Sequence, residues 1–84
     1  MSKHTLQSRL VEALVMTGLG KPVEGRSQRY TVLQRLDKPG FWYVGRSGAL
    51  RCGPTVAASV AKGDSFKRDL LARAKVVQIG RAHV

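Results

Sequence analysis

Two histidines, one cysteine and five side-chain carboxylates are the first candidates for acid/base, thiol or metal chemistry in this 84-residue chain, and their spacing does not assemble them. His4 and His83 stand at the two ends, and Cys52 is the lone thiol. Glu12, Glu24, Asp37, Asp64 and Asp69 are scattered, so no two form an acid/base pair. No Cys/His/Asp set has metal-ligand spacing. Asp37 reads as a turn residue and Asp64 as a helix cap. Cys52 alternates inward on a strand and reads as a small apolar residue rather than a nucleophile. Gly45-Arg46-Ser47-Gly48 and Gly53-Pro54-Thr55 have phosphate-loop composition, but they lack the Gly-Lys-Ser/Thr that opens a helix in a nucleotide site. A hairpin turn accounts for the first. The expectation is a protein that is not an enzyme and uses no cofactor or metal.

Binding chemistry is better represented. Fifteen Lys and Arg face five Asp and Glu, a formal net charge of +10. Charges this dense repel one another in a small fold, and a polyanion would relieve the repulsion. Arginine's planar fork holds phosphate or reads guanine, and tryptophan offers a flat surface to an unpaired base. The residues predicted to contact nucleic acid are Arg29, Arg35, Arg46 and Arg51 around Trp42, with Lys67 and Arg68 flanking them. Under the competing interpretation these arginines are the solvated side of a sheet, with Trp42 lying beneath the Arg35 stem.

Local patterning supplies the elements. Thr5 caps a helix to about residue 17, with Leu6, Leu10, Ala13, Leu14 and Thr17 on one face. Gly18, Gly20 and Pro22 end it, and residues 21–27 form a polar connector. Three antiparallel strands follow at 28–36, 41–46 and 49–52. Lys38-Pro39-Gly40 is a type II turn signal, and Ser47-Gly48 is a two-residue hairpin loop. A short helix over 54–62 closes at Gly63, and a last one, capped by Asp64, runs to about residue 75. The fold class is α+β, with a three-stranded meander packed on its helices in the order α-β-β-β-α-α. With Leu36 opposite Phe41 and Val44 opposite Arg51, one face carries Tyr30, Val32, Gln34, Leu36, Phe41, Tyr43, Leu50 and Cys52, and it is the predicted core. It should pack on Leu6, Leu10, Leu14, Phe66, Leu70 and Leu71. The other face carries the arginines and Trp42.

The strands followed by Leu50-Arg51-Cys52-Gly53-Pro54-Thr55 and Val56-Ala57-Ala58-Ser59-Val60-Ala61 resemble sheet-reading DNA-binding domains. Phage integrase arm-binding domains and plant ethylene-response-type domains are of this kind, and the resemblance covers about residues 28–61. It implies basic and aromatic sheet residues in a major groove. The N-terminal helix is instead similar to the α-β-β-β-α order of double-stranded-RNA-binding domains, although their lysine-rich helix start is missing.

Apolar residues at 43% suffice for one core, and 84 residues leave room for one domain. No apolar run approaches a membrane span, no secretory leader is evident, and one cysteine suits a cytoplasmic location. Ile79-Gly80-Arg81-Ala82-His83-Val84 resembles a translated sequencing adapter. Residues 1–78 are therefore taken as the domain and 79–84 as a non-native tail. The expected partner is DNA or RNA. The rivals are an accessory protein of a phage or mobile element docking on an acidic protein, a ribosome-associated basic protein, and a homodimer that hides the arginine face.

Overall fold

Helix α1 (Leu6–Met16) begins and ends on signals written in its own sequence. The computed structural model in which it is seen describes residues 5–23 and 29–82, with side chains through residue 77. Thr5 is the N-cap, its Oγ1 accepting from the Ser8 N–H at 3.1 Å. At the other end Gly18 adopts a φ of 75°. The N–H groups of Gly18 and Leu19 then reach the carbonyls of Val15 and Leu14, a Schellman closure that favours a residue without Cβ. Leu10, Ala13 and Leu14 form its buried stripe.

Five strands follow as one antiparallel meander: β1 (Gly20–Pro22), β2 (Tyr30–Arg35), β3 (Phe41–Gly45), β4 (Leu50–Gly53) and β5 (Val60–Ala61). Helix α2 (Asp64–Ala82) then returns to pack beside α1. The α+β class is as expected, but the order is α-β-β-β-β-β-α. The N-terminal part of the expected connector, Lys21 and Pro22, belongs to β1; residues 24–28 lie outside the described residues. Pro22 lacks a donor, which an edge strand tolerates.

The helix expected at 54–62 is absent, and with it the strands-then-helix order behind the resemblance to sheet-reading DNA-binding domains. Thr55 Oγ1 accepts from the Ala58 N–H at 3.1 Å, and the Ser59 N–H reaches the Val56 carbonyl. This single turn feeds Val60 and Ala61 into pairing with Cys52 and Arg51. The five-strand order likewise departs from that of double-stranded-RNA-binding domains. At α2 the Gly63 carbonyl accepts from the Lys67 N–H, so Gly63 stands at the cap and Asp64 in the first turn, where its carboxylate complements the helix dipole. The helical backbone continues past residue 75, through residues 79–82.

Both hairpin loops differ from expectation, with unequal consequences. Between β2 and β3 the register is Gln34↔Phe41 and Leu33↔Trp42, two residues from the expected pairing, so the same residues share a face. Between β3 and β4 the loop is Arg46-Ser47-Gly48. Gly45 N–H donates to the Ala49 carbonyl at 2.8 Å, and Gly48, at φ 93°, closes the turn. Three loop residues instead of two put Val44 opposite Leu50 and Tyr43 opposite Arg51. Leu50 and Cys52 thereby join Leu33, Trp42 and Val44 on one face, and Arg51 leaves it.

That face, the one expected to be open, is covered by the helices. Leu10, Leu14, Leu33, Trp42, Val44, Leu50 and Leu70 are fully buried, each contributing about 1.5–3 kcal/mol. Of the sheet residues expected in the core, Leu50 is buried there and Cys52 packs against it; Tyr30, Val32, Phe41 and Tyr43 lie on the opposite side. The helix side was read better. Leu10, Leu14 and Leu70 are buried, Phe66 and Leu71 pack at the margin, and Leu6 is half exposed.

Candidate functional site

Trp42 and Arg35 form one structural unit on the helix-covered face. Trp42 is 1% exposed, its Nε1 donates to the Leu19 carbonyl at 2.9 Å, and Phe66 stacks on it at 5.9 Å between ring centroids. The Arg35 Cζ lies 4.3 Å from the ring centroid, the cation–π pairing of the competing interpretation. Arg35 also donates through Nε and Nη2 to Asp37 at 3.0 and 2.7 Å. These hydrogen bonds hold the Asp37 carboxyl below its ordinary value and raise the Arg35 guanidinium. A buried indole offers no stacking surface to a base, and Arg35 is already engaged. The expected Arg/Trp platform is therefore not an open surface.

The predicted site residues separate into several places. Lys67 Nζ donates to the Gly48 carbonyl at 3.1 Å and lies 3.6 Å from Asp64, tying α2 to the β3–β4 loop. Arg68 is exposed on an open groove shared with Cys52, Val60, Phe66 and Asp69. Arg51 reaches Ser59 twice at 2.7 Å, through Nε to Oγ and through Nη2 to the carbonyl, and so fastens the 54–59 turn to the sheet. Only Arg29 and Arg46 come together with their side chains exposed, on one cleft at the sheet's end.

The sheet face opposite the helices has a different character. Strand alternation from the observed registers puts Lys21, Tyr30, Val32, Gln34, Phe41, Tyr43, Arg51 and Ala61 on it. Tyr43 forms the middle of an aromatic row, edge-on to Tyr30 at 6.3 Å and tilted against Phe41 at 6.4 Å. Tyr43 is itself buried, so the half-buried Tyr30 and Phe41 are the members of the row that a base could reach. No acidic residue stands on this face among the described residues. The row was written in the alternation of Tyr30, Val32, Phe41 and Tyr43, but its aromatic content assigned it to the core.

Three of the five acids are held by Arg35, Lys67 and Arg73, so most of the described cations have no carboxylate partner among the described residues. No described helix is long and apolar enough to cross a membrane. Compared with known proteins, the chain matches no family model, no curated protein and no solved structure.

Proposed function

We propose that this domain binds single-stranded nucleic acid across the sheet face opposite its helices. The observation that carries this is the Tyr30–Tyr43–Phe41 row, with Tyr30 and Phe41 half-buried, on a face with the exposed Lys21 and no described acid. Aromatic faces stack on unpaired bases of any sequence, and flanking cations follow the backbone. Within a duplex the bases are stacked on one another and cannot meet such a row. The reading keeps the polyanion partner expected from a net charge of +10 and moves it to the other side of the sheet. It assigns the domain a binding rather than a catalytic role, in the cytoplasm.

Fluorescence anisotropy with labelled single-stranded DNA, RNA and duplex DNA, between about 50 and 200 mM salt, tests it. Expected is tighter binding of single strands, with log K falling against log salt by about 0.7 for each phosphate neutralised. A duplex preference would remove the stacking role. Absence of binding to all three would overturn the reading, and a salt-insensitive protein complex or a dimer closing over Phe41 would replace it.

A further inference from the structure

Arg29 and Arg46 stand just beyond the last pair of the β2–β3 ladder, Tyr30↔Gly45, Arg29 before β2 and Arg46 in the β3–β4 loop. Two like charges on one cleft repel each other. Among the described residues neither guanidinium has a carboxylate or hydrogen-bond partner. Both line an open cleft of about 430 Å3 with Tyr30, Gly45, Ser47 and Ala49, and no described acid shares it. The β3–β4 turn is fixed by the 2.8 Å Gly45–Ala49 and 3.0 Å Gly48–Gly45 backbone bonds, so Arg46 and Ser47 are carried on a defined scaffold.

We infer that this cleft is a phosphate site. Two guanidinium forks and the Ser47 hydroxyl match the several acceptor oxygens of a tetrahedral phosphate, and its charge would offset the repulsion between the two guanidinium groups. Tyr30 borders the cleft and also begins the aromatic row. A phosphodiester held here would deliver the adjoining nucleotide to Tyr30, and the strand would run from there toward Phe41, about 13 Å away along β3. This rests on the single-strand reading above and gives that strand its anchor.

The test compares wild type with R29Q, R46Q and the double variant, in the anisotropy titrations and in two-dimensional NMR titrations with inorganic phosphate. All four proteins are first melted to establish that they are folded; exposed Gln at these positions should leave the melting temperature unchanged or raise it. Expected is a loss of single-strand affinity on the order of tenfold in the double variant, with a salt slope shallower by about 0.7. Phosphate should shift the Gly45, Ser47 and Gly48 amides in wild type and not in the double variant. If wild type binds single strands and the double variant binds with the same affinity and slope, the cleft is not the anchor, while the nucleic-acid reading stands. If wild type ignores nucleic acid yet phosphate shifts those amides saturably, the site is upheld for free phosphate and the nucleic-acid reading falls. Silence in both titrations overturns the two together.

Discussion

Trp42 is held by three different interactions: Arg35 over its ring, Phe66 stacked on it, and the Leu19 carbonyl on its indole nitrogen. Trp42→Ala should cost about 3–5 kcal/mol, measured by urea denaturation. That is a large part of the 5–15 kcal/mol typical of a whole domain, whereas a loss below about 1 kcal/mol would mean the site collapses around the gap. Asp37 adds a pH dependence. Its folded-state carboxyl is lowered, chiefly by the hydrogen bond from Arg35. The pair's contribution is therefore complete above the ordinary carboxylate value and is lost as pH falls through the lower folded one, below about pH 4. Arg35 stays charged across this range and does not alter the sign. Melting curves between about pH 2 and 6 should show Asp37→Asn losing part of the acid sensitivity; an unchanged profile would assign that sensitivity elsewhere. The Arg35–Trp42 contact was legible in the sequence, because both residues fall on one side of their strands. Their helix cover was not, because an arginine looks solvent-facing until its carboxylate and its ring are known.

At the scale of the elements, loop length decided which readings held. A two-residue change in the β2–β3 register preserves every face, whereas one extra residue in the β3–β4 loop reverses β4 relative to β3. The Ser47-Gly48 signal marked the turn correctly but not its starting residue, and Arg51 changed sides as a result. β1 and β5, three and two residues long, are too short for alternation to be read at all. Gly48 is the point on which the longer loop depends. Its φ is 93°, and a Cβ there would stand 2.2 Å from Leu6 Cδ2 and 2.6 Å from Leu6 Cγ. Gly48→Ala should therefore destabilise by about 1–3 kcal/mol. Leu6→Ala in the same chain should recover the steric part and leave the backbone part, giving a favourable coupling energy in a urea double-mutant cycle. Strict additivity would show that Leu6 swings aside freely and that φ alone sets the cost.

For the whole molecule, composition motivates the proposed polyanion partner and is silent on where it would sit. The net charge of +10 does not depend on the fold, but its distribution follows from which cations the structure ties to Asp37, Asp64, Asp69, Ser59 or Gly48. Self-repulsion should make the domain more stable as salt rises from about 20 to 300 mM, since screening shortens the reach of each charge. A melting temperature that falls over this range would mean that ion pairs outweigh repulsion. The sheet that presents the aromatic row also has very short edges: β1 offers three residues including Pro22, and β5 offers two. At these two described edge strands an incoming strand would find little backbone to pair with. On the proposed single-strand reading, many copies could therefore crowd side by side along one polyanion, at local concentrations that drive exposed sheets into fibres, without any copy templating the next.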